Sequence, residues 1–235
     1  MAALRIAYTL ATPELTGPVM AHPGPFAEGV RRIADAGFDG VELYVRDPFA
    51  VDWRAIEGAV AAAHLGVANL CTGAVYGSDG LCFSARDESV RAEAIRRTRA
   101  FIEVAAGWGA TVNVGRLRGP IPPDEPRGQV EQRVLAAFQE LGEYAAGRGT
   151  ALVLEPINRH ESNFIHSLGE GARWCARVGS PGFALMADYY HLQLEEVSIG
   201  RSLLAARPWL RRVHMCDSTR YAPGWGQANL KDFVG

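Results

Sequence analysis

Short apolar runs that stop on a polar residue recur along this chain, separated by longer stretches with apolar residues every three or four positions. Runs of the first kind read as strands buried on both faces, and stretches of the second kind as helices with one buried side. The pattern predicts strands over 4–8, 38–44, 67–71, 110–115, 150–155, 182–188 and 210–216. Helices are expected over 26–36, 51–64, 87–106, 129–146 and 168–178, with one more inside 194–206. Glycines close most of them, among them Gly37, Gly66, Gly109 and Gly147. Loops remain at 13–25, 72–84 and 116–126, and 227–235 reads as the opening of a seventh helix.

Strand and helix alternate without a break in composition. One domain over 1–235 is therefore expected, built on a parallel sheet whose neighbours need helical crossovers. No G-x-G-x-x-G turn follows the first strand and no G-x-x-x-x-G-K-[ST] segment occurs, which leaves dinucleotide and P-loop readings without support. The expected class is α/β, as a closed (β/α)8 TIM barrel. Such barrels use eight strands in about 250 residues, whereas seven strands are legible here. The last βα unit is expected from a C-terminal segment beyond these residues, or its place is covered by another chain, because an open seam exposes strand edges.

Three strand ends in succession carry chemistry. The run 150–154 stops on Glu155, the run 182–187 on Asp188, and the run 210–213 on His214. Singly, each has a plain explanation: a solvated loop acid, an acid paired with an arginine, and a packed core imidazole. Jointly they read differently, because side chains at the C-terminal ends of neighbouring barrel strands converge on the axis. Two carboxylates and an imidazole there suit one divalent ion. An oxygen-rich set with one imidazole favours Mn²⁺, with Mg²⁺, Co²⁺ and Zn²⁺ as alternatives.

Other polar residues stay open at this level. Glu42 ends the second strand and either lines the pocket or pairs with a helix; Asp217 either steadies His214 or caps its loop. Arg116 and Arg118 are available to bind a phosphate, Trp225 is a candidate pocket wall, and Glu195 with Glu196 reads as a solvated helix start.

The formal net charge of −2 and a charged fraction of 21% leave no basic excess for a nucleic-acid backbone. The four cysteines include no C-x-x-C pair, which indicates neither a disulfide framework nor a cysteine zinc site and fits a reducing cytoplasm. No signal-like segment opens the chain, and no window approaches the roughly 18 apolar residues of a membrane span. A soluble protein without membrane or nucleic-acid partners is expected, with room for a homo-oligomer.

The segments 155–161 (EPINRHE), 188–191 (DYYH), 214–220 (HMCDSTR) and 223–226 (PGWG) resemble the ketose 3-epimerase branch of the xylose isomerase-like sugar isomerase and epimerase barrels, such as D-tagatose 3-epimerase. The resemblance follows the whole chain in element order and is sharpest from 150 to 226. It implies that Glu155, Asp188 and His214 are metal ligands, that Glu155 is also an acid/base, and that Glu161, His191 and Arg220 contact sugar oxygens. It also implies a fourth ligand, a second acid/base glutamate on an eighth strand. In that chemistry a carbon next to a carbonyl loses its proton and regains one on the other face, through an enediolate that a divalent ion stabilises.

Rival expectations share parts of this picture. A keto-sugar or inosose dehydratase would use the same ion and first deprotonation but lose water. An abasic-site endonuclease would need more histidine ligands on strands two and three, where Glu42 and Asn69 stand. A truncated, non-catalytic paralogue would bind ligand or partner without turnover.

Overall fold

A computed structural model of the chain describes residues 4–16, 20–22 and 24–228. From residue 229 on, the helix expected over 227–235 lies outside them. Seven strands form one parallel sheet in chain order: β1 (Ala7–Ala11), β2 (Gly40–Tyr44), β3 (Gly66–Cys71), β4 (Thr111–Val114), β5 (Leu152–Leu154), β6 (Phe183–Asp188) and β7 (Leu210–His214). The connecting helices are α1 (Phe26–Asp35), α2 (Trp53–Ala62), α3 (Gly73–Asp79), α4 (Glu88–Trp108), α5 (Arg127–Ala146), α6 (Leu168–Val178), α7 (Tyr189–Glu195) and α8 (Ile199–Ala206).

The main core lies between the strands and the helices that wrap them. Val41, Leu43, Val112, Val114, Leu152 and Leu154 point outward into it from the sheet. Phe138 of α5 sits at its centre, with ring centroids 5.9 Å from Phe83, 5.7 Å from Trp174 and 4.7 Å from Phe183. Full burial of such a ring stabilises by about 1.5–3 kcal/mol. Close helix-to-strand contact here needs glycine, because a Cβ on Gly182 would stand 2.2 Å from the Gly142 carbonyl oxygen of α5. Alternate strand residues point the other way, where Val153, Ala184 and Met186 form a small separate apolar cluster.

Above that cluster the inward face turns polar. Register places Thr9, Glu42, Asn69 and Thr111 side by side on β1 to β4, and Asp188 beside His214 on β6 and β7. The sheet curls far enough for β7 to reach β2 and β4 across this face, through His214 to Glu42 and Arg212 to Thr111. Among the described residues β1 and β7 do not pair with one another. Exposed apolar side chains lie on both edge strands, with Tyr8 of β1 47% and Val213 of β7 39% exposed.

The structure shifts three expected elements. The first strand begins at Ala7 rather than residue 4, because pairing runs from Ala7 opposite Gly40 to Ala11 opposite Tyr44. The loop expected over 72–84 contains α3, whose Ala74 and Val75 are buried and whose Asp79 is held by Arg46 and Arg97. The helix expected inside 194–206 is α8, which starts only at Ile199, and a separate helix, α7, precedes it where none was expected. Between them Glu196 is extended, accepting from the Leu168 backbone N–H and the Ser202 hydroxyl. Glu195 pairs with Arg159 at 2.7 Å. These two acids end α7 and tie it to its neighbours, so they are not the solvated start of a helix.

Candidate metal centre

β5 and β6 end on their acids for a local reason. In each strand the apolar run is buried on both faces, and chain geometry then turns the next residue into the mouth of the sheet. Glu155 is buried, and its Oε2 accepts from Asn113 Nδ2 at 2.9 Å. Asp188 both ends β6 and caps α7, its Oδ1 accepting from the Tyr190 backbone N–H at 2.8 Å. His214 extends from β7 so that Nδ1 lies 3.8 Å from Glu155 Oε1 and 3.8 Å from Asp188 Oδ2. That spacing is too long for a hydrogen bond, yet shorter than two metal–ligand bonds of about 2.0–2.2 Å laid end to end. Nδ1 is therefore within reach of a divalent ion shared with either carboxylate.

His191 sits on the same mouth from α7. Glu155, Asp188 and His191 offer donor atoms that all lie within 4.8 Å of one another. Its role is constrained by Asn158, whose Oδ1 accepts from the His160 backbone N–H at 3.0 Å. The amide nitrogen of Asn158 must then face the other way, toward Glu161 Oε1 at 3.1 Å and His191 Nδ1 at 2.8 Å. An amide N–H can only donate, so His191 Nδ1 accepts at 2.8 Å and the ring proton sits on Nε2. The Arg220 guanidinium, which also can only donate, approaches Nε2 at 3.5 Å, beyond ordinary hydrogen-bond length, and is not bonded to it. That Nε2–H lies 4.0 Å from Glu155 Oε1. His191 thus presents a donor to the mouth, whereas His214 presents Nδ1.

Glu161 also pairs with Arg220 at 2.9 Å, and the Arg220 guanidinium stacks over Tyr190 at 4.0 Å. The six residues singled out by sequence therefore meet at one end of the sheet. Asp217 does not join them. Its carboxylate accepts from the backbone N–H groups of Ser218, Gly224 and Ala228, which makes it the cap of its own loop. Trp225 is 77% exposed, which leaves it outside any closed wall.

Electrostatics follow from burial and neighbouring charge. Burial raises the Glu155 carboxyl, and the adjacent Asp188 charge raises it further against the opposing pull of His214. Burial also works to raise Asp188, but the His214 imidazole and the Tyr190 N–H hold it below its ordinary value. Burial opposes the charged form of His214, and the carboxylates of Glu42, Asp188 and Glu155 together outweigh it, keeping that imidazole well above its ordinary pKa.

Two buried residues carry more than sequence reasoning assigned them. Glu42 accepts from His214 Nε2 at 2.8 Å, which decides between its two readings in favour of the interior. Arg118 is fully buried, donating to the backbone oxygens of Gly115, Glu155, Phe164 and Ile165. It is not available to a phosphate, because its donors are committed to the loop that follows β5. The apolar neighbours Leu117 and Ile121 give no hint of that burial in the sequence. Burial lowers its pKa to about 10.

Comparison with known proteins finds relatives among sugar epimerases. A family model described as the xylose isomerase-like TIM barrel matches residues 30–235. The L-ribulose 3-epimerase of Methylomonas sp. is 28% identical over 207 residues, which is 85% of this chain and 69% of that protein. The 3-dehydro-D-guloside 4-epimerase of Escherichia coli is 27% identical over 216 residues, 87% of this chain and 79% of that protein. The crystal structure of a D-allulose 3-epimerase from Methylomonas sp. in complex with D-allulose superposes with a TM-score of 0.79 at 26% identity. It covers 97% of this chain and 78% of its own.

Proposed function

The chain belongs to the xylose isomerase-like TIM barrel family, and from that premise we infer that it is a sugar isomerase or epimerase that moves a proton at a carbon next to a carbonyl. Its relatives named as ketose 3-epimerases and as a 4-epimerase support this class of reaction. The carrying observation is the convergence of His214 Nδ1 on Glu155 Oε1 and Asp188 Oδ2 at 3.8 Å each. These three residues would hold a divalent ion, Mn²⁺ in preference to Mg²⁺, Co²⁺ or Zn²⁺ for a set with two carboxylates and one imidazole. When bound, such an ion supplies positive charge beside the substrate oxygens that become anionic during proton removal.

The chain's own groups do the rest. Glu155 exchanges the proton on its own face of the carbon, and inversion takes the complementary transfer from an acid/base on the opposite face; a carboxyl raised by burial is better matched to giving and taking a proton than an exposed one. His191 offers its Nε2–H to a sugar oxygen, and Glu161 with Arg220 binds hydroxyls further along. A ketose is the substrate class that fits, small and uncharged enough for a mouth whose one buried arginine is already committed to carbonyls. A single domain closed by an eighth βα unit between β7 and β1 would cover the exposed apolar side chains of these edge strands and bring a second acid/base to the opposite face of the sugar carbon.

The test is incubation of the Mn²⁺-loaded protein with a panel of ketopentoses and ketohexoses in D₂O. The expected product differs in configuration at a carbon beside the carbonyl and carries solvent deuterium there. Glu155→Gln is expected to slow exchange by about 10²-fold or more. Loss of water from the product would move the assignment to a dehydratase. A chain that binds Mn²⁺ and exchanges no deuterium with any ketose would overturn it.

A further inference from the structure

We propose that Glu42 is the positioning residue of His214: it takes the Nε2–H and so leaves Nδ1 as the nitrogen that faces Glu155 and Asp188. The inference rests on the reading of those three residues as a cation site. The contact joins β2 to β7 across the interior, with Nε2 to Oε2 at 2.8 Å. A carboxylate can only accept, so the nitrogen it meets must carry the proton. In many metal sites a ligating histidine gives its second N–H to a carboxylate, which sets the tautomer, fixes the ring plane and raises the basicity of the ligating nitrogen.

Glu42 is itself held by a directed set of donors on the floor of the site. Arg212 Nε has only a proton to give, and it gives it to Thr111 Oγ1 at 3.1 Å. The Thr111 hydroxyl then donates to Asn69 Oδ1 at 2.6 Å, which fixes the Asn69 amide so that Nδ2 faces Glu42 Oε2 at 2.8 Å. Thr9 Oγ1 stands 3.4 Å from the other oxygen. The same strand register that aligns Thr9, Glu42, Asn69 and Thr111 builds this floor. Every donor in the set points toward Glu42, as a permanent anion under an imidazole requires. Within this set Glu42 is the member that touches His214, so the others act on the imidazole through Glu42.

Two variants and two readouts test the proposal. In Glu42→Ala the Nε2–H loses its acceptor. At alkaline pH, where the ring is neutral, nitrogen-15 NMR of His214, identified by its loss in His214→Gln, is expected to change from a single Nε2–H form to a mixture. Mn²⁺ affinity, read by electron paramagnetic resonance, is expected to fall about 10–100-fold. Glu42→Gln keeps the volume, and its amide oxygen fits the Oε2 position where Asn69 and His214 both donate. It should keep the single tautomer and lose less than about tenfold in affinity. A single Nε2–H form in Glu42→Ala overturns the proposal, even with weaker Mn²⁺ binding, because that combination marks loss of charge alone. Should the unaltered chain take up no Mn²⁺ while the tautomer still depends on Glu42, the cation reading falls and the positioning role stands.

Discussion

At the scale of single residues, the candidate site is set by which atom each side chain presents. Two imidazoles stand at one mouth, and their neighbours give them opposite parts: Asn158 makes His191 a donor, while Glu42 frees Nδ1 of His214. Glu155 is placed as tightly by a residue without a side chain. A Cβ on Gly115 would stand 2.7 Å from Glu155 Oε2, the oxygen that Asn113 also holds. Gly115→Ala is expected to leave the fold intact and push that carboxylate off its position. A displacement of about 1 Å at a reacting group costs on the order of 10²-fold in rate, so kcat should fall by that order while thermal unfolding moves by only a few degrees. Wild-type turnover in this variant would mean that Glu155 is free to reorient. Of these details the strand-end pattern disclosed Glu155, Asp188 and His214, because an apolar run ending on a polar residue is a local signal, while His191 on α7 came only from the family resemblance. The sequence disclosed nothing of Gly115 or of the choice of nitrogen, which depend on atoms brought together by folding.

At the scale of elements, strand ends deliver the chemistry and the connections hold it steady. The segment after β5 turns back over Arg118, which binds the carbonyls of Gly115, Glu155, Phe164 and Ile165 and thereby links the ends of β4 and β5. Arg118→Leu keeps much of the volume and removes every donor. Buried carbonyls without partners cost about 1–3 kcal/mol each, so unfolding by denaturant should show a loss of at least about 3 kcal/mol, with a matching loss of activity. A loss below about 1 kcal/mol would show that water replaces the guanidinium. The helices were legible wherever periodicity was long, as in α4 and α5. Short pieces were not. α3 reads as a glycine-containing loop because its helical state depends on buried Ala74 and Val75 and on Asp79 bridging Arg46 and Arg97. The break between α7 and α8 likewise depends on Glu196 reaching Leu168.

At the scale of the whole molecule, seven parallel strands curl around a polar interior and leave a gap between β1 and β7 among the described residues. Part of the β1 edge is covered, since Leu10 bridges to His22. β7 alternates between half-buried and exposed positions, whereas β6 is buried until Asp188. Local opening follows such differences in burial. Backbone amides of β7 are therefore expected to exchange with solvent on the order of tenfold faster than those of β4 in the 235-residue chain. Equal protection of the two strands would indicate that another chain or segment covers the seam. No helix of the described residues is long and apolar enough to cross a membrane. The sequence by itself determined the alternation of strand and helix, the parallel sheet and the strand-end acids, because hydrophobic periodicity is written within a few neighbouring residues. Only the tertiary structure decided that Glu42 faces inward, that Arg118 is spent on carbonyls and that Asp217 caps a loop. Those outcomes rest on contacts such as His214 to Glu42, 172 residues apart, and no local pattern can specify which distant atom a side chain will meet.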